Sequence, residues 1–237
     1  LRSYRPHPWP AVLRPAFAPL GRTRPPTAHP PHPPPAHQGK RGLQARGRPA
    51  DEPTMVKPNG IERFFAAEEL IVSKTDAKGV ITYANHVFCR VAGYQEHELL
   101  GKPHNIIRHP DMPRGAFKLL WDRLQAGHEV FAAVLNLAKD GCHYWVLAYV
   151  TPSYGPAGNL LGYHSVRRLP PPELIRLLQP VYQDMLKLEA GFSNPKQAAQ
   201  ASCGHLLALM DKLGTDYDRF FFEHLNKILD RQPALSS

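Results

Sequence analysis

The spacing of apolar residues predicts two short strands joined by a turn at the start of the organised part of the chain. Residues 70–72 form one apolar run, and residues 80–83 form the next. Between them lies Asp76-Ala77-Lys78-Gly79, whose glycine suits the positive φ of a tight turn. Two apolar runs around such a turn predict a β-hairpin.

Helical spacing follows the hairpin and is strongest over residues 113–126. Shorter helices are predicted after Asn85 and over residues 95–100, the second closed by Gly101. In the longer segment a proline suits the first turn and Gly127 ends the pattern. Its apolar residues recur at three- and four-residue spacing: Phe117, Leu120, Trp121 and Leu124. A helix with one buried face is therefore predicted.

Three further strands are predicted at residues 129–138, 142–152 and 159–167. The turn Lys139-Asp140-Gly141 between the first two is a strong hairpin signal. Two strands, several helices and three antiparallel strands predict an α+β fold. We expect a five-stranded antiparallel sheet with the helices packed on one face and a pocket between the two layers.

Helical patterns return after the sheet, at residues 172–190, 195–213 and 216–230. The last of them carries an aromatic run, Phe220-Phe221-Phe222. Such a cluster is more typical of a core or a helix contact than of a ligand site. We expect it to pack on the domain or to form a homodimer. The predicted organisation is a domain at 60–168 and a helical extension at 169–232.

The first 54 residues differ in composition from the rest. They hold 14 of the 26 prolines and nine Lys and Arg against two acidic residues, and so carry +7 of the formal charge of +9. This composition cannot build a core and predicts a disordered leader. Because Met55 is the first methionine and stands just before the organised part, we interpret the leader as upstream codons read as protein.

The charge of the leader also limits the function classes. Without it the chain is close to neutral, so no basic face for nucleic acid is predicted. No apolar run reaches the roughly 18 residues of a membrane helix. Cys89, Cys142 and Cys203 are far apart and form no CxxC pair, which is typical of free thiols in a reducing cytosol. A cytoplasmic protein is expected.

Three segments carry a family resemblance. Residues 71–85 (IVSKTDAKGVITYAN) resemble the opening hairpin of a PAS domain, and residues 93–101 (GYQEHELLG) resemble a PAS helix motif. Residues 103–113 (PHNIIRHPDMP) are very similar to the segment that marks PAS domains of aerotaxis receptors. Phe117, the pair Leu120-Trp121 and later motifs continue the match, which covers about residues 60–168.

The resemblance implies a PAS fold with non-covalently bound FAD between sheet and helices. The family positions linked to the flavin are Asn85, Arg108, His109, Asp111, Trp121, Phe131 and Asn136. At Phe131 the family usually has a tryptophan, so the ring is kept while the indole N–H is lost.

Each candidate also has a structural interpretation. Arg108 offers five donors for a flavin carbonyl or phosphate, or it forms an ion pair with Asp111. Asn85 and Asn136 can meet a flavin edge with an amide, or they cap a helix or a turn. On pattern alone, Trp121 and Phe131 are typical of core residues.

Three function classes remain to be compared. A redox or oxygen sensor would bind FAD and signal in trans to a partner such as a chemoreceptor or kinase, since the sequence shows no transducer module. The alternatives are a ligand-free PAS module for dimerisation or docking, and a haem-binding gas sensor. The spacing of His104, His109 and Asp111 suits no metal template cleanly. The sequence contains no nucleophile–base set, P-loop or zinc signature, so an enzyme is not predicted.

Overall fold

The computed structural model describes residues 56–229, with side chains described to residue 227. The predicted disordered leader lies outside this range, as do the last residues of the chain. The strands are β1 (Ile71–Asp76), β2 (Ile81–Ala84), β3 (Val130–Leu137), β4 (His143–Tyr154) and β5 (Leu160–Arg168). The helices are α1 (His86–Ala92), α2 (Glu96–Leu99), α3 (Arg114–Gln125), α4 (Pro172–Glu189), α5 (Pro195–Lys212) and α6 (Tyr217–Leu229).

The five strands form one antiparallel sheet in the order β2-β1-β5-β4-β3. Strand β5, the last of the five along the chain, lies at the centre of the sheet and pairs with both β1 and β4. The predicted α+β fold with a five-stranded antiparallel sheet is confirmed. The predicted hairpin is also present, and Gly79 in its turn has a φ of 81°.

The segment 103–113, which carries the sharpest resemblance, is not a continuous helix or strand. His104–Ile107 form a single 3-10 turn that the apolar pattern did not predict. Arg108 then makes an isolated bridge to Asn136 of β3, so that its backbone runs beside the sheet. This loop therefore places side chains at the layer between the sheet and α3.

Strand β3 is buried along its whole length because both of its faces are covered. All eight residues of Val130–Leu137 are buried. Val134 and Asn136 face the helices of the domain. On the opposite face, the ring of Phe131 lies 5.0 Å from that of Phe222 of α6. The C-terminal helices thus cover the sheet surface that the domain helices leave open.

Two tyrosine hydroxyls attach the C-terminal helices to the backbone of β3. Tyr182 of α4 donates to the carbonyl of Ala133 at 2.9 Å, and Tyr217 of α6 donates to the carbonyl of Phe131 at 2.9 Å. Trp145 of β4 stacks on Tyr182 with 6.3 Å between ring centroids. The sequence left open whether the aromatic cluster packs on the domain, and in this structure it does.

Helix α5 takes a different position and packs against α3. The contact is closest at Gly115, where an added Cβ would lie 2.2 Å from Ser202 Oγ and 2.4 Å from the backbone nitrogen of Cys203. Glu189, the last residue of α4, accepts hydrogen bonds from the Gly115 N–H at 3.0 Å and from Ser202 Oγ at 2.5 Å. One carboxylate therefore joins the three helices α3, α4 and α5.

We expect Gly115→Ala to destabilise the protein by about 1–3 kcal/mol, because the new methyl group would force α5 away from α3. Gly204→Ala is the matched control, since Gly204 lies on α5 with open space around it. That change should be neutral or stabilise by about 0.5–1 kcal/mol through helix propensity. Urea unfolding measures both, and equal midpoints for Gly115→Ala and wild type would contradict the packing.

Candidate functional site

A cavity of about 590 Å³ lies between the inner face of the sheet and the helical layer. Alternate residues along the strands form the sheet wall of the cavity, and on β4 these inward residues are Val146, Ala148 and Val150. Phe117 and Trp121 of α3 form part of the opposite wall. A cavity of this size with mostly apolar walls and a few polar groups is typical of a small-molecule site. The predicted pocket between the layers is therefore present.

The inner end of the cavity contains a buried arginine that the sequence interpretation missed. Arg167 of β5 is 3% exposed and donates to Ser165 Oγ at 3.0 Å and to Ser73 Oγ. The Nη2 atom also lies 2.6 Å from His104 Nε2. Its guanidinium carbon lies 4.9 Å from the centre of the Phe88 ring.

This guanidinium is incompletely satisfied within the described part of the chain. Its Nη1 is buried without a hydrogen-bond partner, and no described carboxylate pairs with Arg167. Burial lowers the pKa of Arg167 to about 10, so the group stays charged at neutral pH. A buried cation with a free donor beside a cavity favours an electron-rich ligand group there.

The neighbouring His104 is held neutral by the same arrangement. Its ring stacks on Phe88 at 5.8 Å, and its Nε2 is within hydrogen-bond distance of the cation of Arg167. Burial, and then repulsion from that cation, lower the pKa of His104 to about 3. The neutral ring can accept a hydrogen bond from Arg167, which fixes the direction in which the guanidinium faces.

The outer end of the cavity is strongly cationic. None of the described lining residues is acidic. Besides the buried Arg167 of the inner end, the lining contains five lysines and arginines: Lys78, Arg108, Arg114, Lys118 and Lys196. Only Lys118 among them has a described carboxylate partner, Asp122 at 2.8 Å. The guanidinium of Arg108 lies 4.2 Å from the centre of the Phe117 ring. Burial, and then repulsion from Arg114, lower the pKa of Arg108.

Three of the seven residues predicted as flavin contacts line this cavity. They are Arg108, Trp121 and Asn136. Asn136 is 4% exposed, and its side-chain amide makes no hydrogen bond to a described residue. Arg108 has no described carboxylate within ion-pair distance, so the alternative pairing with Asp111 is absent from residues 56–227. Donors and acceptors therefore remain available to a ligand at two of the three positions.

The other four predicted residues lie outside the cavity lining. Asn85 caps α1, accepting from the N–H groups of Val72 and Phe88, and donates to the Leu70 carbonyl.

His109 is buried and accepts from the Asp111 N–H at 3.1 Å, while the side chain of Asp111 is 73% exposed. Phe131 faces the C-terminal helices and not the cavity. The structure does not bring these four side chains together with Arg108, Trp121 and Asn136, and their flavin role stays a prediction.

No group of three His, Cys, Asp or Glu in the described residues is arranged to hold a metal ion. No described helix is both long and apolar enough to cross a membrane.

The sheet order, the helical layer and the enclosed cavity are those of a PAS domain, and residues 69–166 match the PAS fold family. The chain is similar to the aerotaxis receptor of Escherichia coli (strain K12), with 41% identity over 119 residues. That alignment covers 50% of this chain and 23% of the receptor.

Two further matches are a nitrogen fixation regulatory protein and a blue-light photoreceptor structure. The nitrogen fixation regulatory protein of Klebsiella pneumoniae is 34% identical over 108 residues, covering 44% of this chain and 22% of the relative. The light-state structure of the Aureochrome1 LOV photoreceptor has a TM-score of 0.43 at 22% identity, covering 48% of this chain and 91% of that one. The chain thus spans less than a quarter of the length of these two curated relatives.

We expect the protein to lose stability as pH falls from about 7 to about 5, partly through His104. The unfolded chain binds a proton near the ordinary histidine pKa, whereas folded His104 does not do so until about pH 3. His109 contributes in the same direction, because burial lowers its pKa. The contribution of each group is at most about 1.4 kcal/mol per pH unit.

Chemical denaturation at a series of pH values measures this slope. His104→Gln keeps an acceptor for Arg167 and should lower the slope over this interval, in which carboxylates stay mostly ionised. The exposed His205→Gln is the control. An unchanged slope in His104→Gln would show that the pKa of His104 is the same in the folded protein as in the unfolded chain.

Proposed function

We propose that this protein is a redox or oxygen sensor that binds FAD in the PAS cavity and signals in trans. The observation that carries the proposal is the cavity itself, which has apolar walls, unpaired cations and no acidic lining residue among the described ones. A dinucleotide flavin has an apolar ring system with a polar edge and a negatively charged diphosphate. The two ends of the cavity have the complementary chemistry.

The ring system fits the inner part of the cavity by the chemistry of its walls. Trp121 and Phe117 supply aromatic surface, and Val134 and Val146 supply aliphatic surface. The amide of Asn136 can donate and accept at once, which suits a ring edge that carries both carbonyl and N–H groups.

The deep polar cluster around Arg167 can take part in the response. A bound flavin would supply a reversible two-electron redox centre whose charge and protonation depend on its oxidation state. Arg167 retains a free donor and stays charged, so it can stabilise negative charge at this end of the cavity. Its contacts to Ser73 of β1 and His104 of the 3-10 turn would carry a rearrangement into the sheet.

Signal output would then pass through β3 and β4 to the C-terminal helices. The inward residues of these strands line the cavity, and their outward residues contact α4 and α6. A shift between two populated arrangements of these helices would present a different surface to a partner. The proposed partner is a signalling protein such as a chemoreceptor or kinase, and a homodimer is a further form of output.

Purification of the full chain with added FAD tests the proposal by colour. We expect a yellow protein with the visible absorption of oxidised flavin, which bleaches on reduction with dithionite. A colourless protein would leave a ligand-free docking module, and a red protein with an intense Soret band would establish a haem sensor.

A pair of variants connects the colour to the cavity. Arg108→Gln removes a cation from the cavity lining, and Asn136→Ala removes an amide. Each change should weaken the affinity for FAD about tenfold or more and so lower the flavin content of the purified protein. Arg176→Gln on the exposed surface of α4 is the control. Circular dichroism confirms that the variants fold, and flavin content equal to wild type in both site variants would contradict this location.

A further inference from the structure

Three of the cations that line the cavity, Lys78, Arg114 and Lys196, have side chains with no ion pair or hydrogen bond to a described residue. Arg114 and Lys196 are exposed residues. Lys118, in the same region, is paired with Asp122. Arg108 and Arg114 repel each other, and the Glu189 carboxylate offsets only part of that repulsion at Arg108. A bound anion would reduce the repulsion further.

Lys196 differs from the other cations because it lies on a C-terminal helix that follows the sheet. The match to the PAS fold ends at residue 166, and Lys196 lies in the first turn of α5. Ala199, one turn later on the same helix, also lines the cavity. The position of α5 depends on its close contact with α3 at Gly115 and on the carboxylate of Glu189. The C-terminal extension therefore contributes part of the cavity wall.

We propose that Lys196 of α5 and Arg114 of α3 together bind the phosphate groups of a nucleotide ligand at the outer end of the cavity. Phosphate oxygens are acceptors that Arg and Lys bind through charge-assisted hydrogen bonds. The inference builds on the proposed flavin site, because the diphosphate of FAD is such a group. It adds that α5 is part of the binding site, so ligand binding stabilises the docked position of the C-terminal helices.

The test compares FAD with riboflavin, which has the flavin ring without phosphate, and with ADP, which has a diphosphate without the flavin ring. Isothermal titration of the full-length chain with FAD, riboflavin and ADP gives the three affinities. Lys196→Gln and Arg114→Gln should each weaken FAD binding about tenfold and leave riboflavin binding unchanged. Salt should weaken FAD binding to wild type more than to either variant. Lys212→Gln, at the other end of α5, is the matched control and should behave as wild type.

The outcomes separate this inference from the flavin proposal. If Lys196→Gln binds FAD more tightly than riboflavin by the same factor as wild type does, α5 does not bind the phosphates, although the flavin site stands. If no flavin binds but ADP binds and Lys196→Gln weakens it, the phosphate site stands without the flavin. If neither FAD nor ADP binds wild type, both are overturned.

Discussion

The polar end of the cavity depends on one buried charge. Moving a guanidinium out of water costs several kcal/mol unless its donors are satisfied, and Arg167 has no described carboxylate to compensate it. Two serine hydroxyls, a neutral histidine and an aromatic face take that place. These partners come from β1, β5, α1 and the 3-10 turn, so one cation holds four parts of the fold around the cavity.

The second constraint is that a single layer of sheet, formed by β3 and β4, separates the cavity from the C-terminal helices α4 and α6. Successive side chains of these strands point to opposite faces, so the residue beside a cavity-lining valine touches a C-terminal helix. Packed interiors transmit small displacements because they contain little free volume. The site and the output helices are thus separated by a single backbone, and α5 reaches the cavity directly through its contact with α3.

Most of the fold was predictable because apolar periodicity and glycine turns are local signals. The site was less so. Phe131 and Asn136 are five positions apart on one strand, and strand alternation alone excludes that both face the cavity. Arg167 could have been found from the same rule, since it shares the inward face of β5 with Tyr163 and Ser165. Lys196 could not, because only tertiary packing brings α5 to the opening.

The packing of α4 and α6 on the outer face of the sheet also affects where the boundary of this domain is drawn. The PAS match stops at residue 166, yet the aromatic surface of β3 and β4 is buried by residues that follow it. A fragment cut after Arg168 would expose Trp145 and Phe131 to water as a contiguous apolar patch, which favours aggregation. The unit whose apolar surfaces are covered is accordingly longer than residues 69–166.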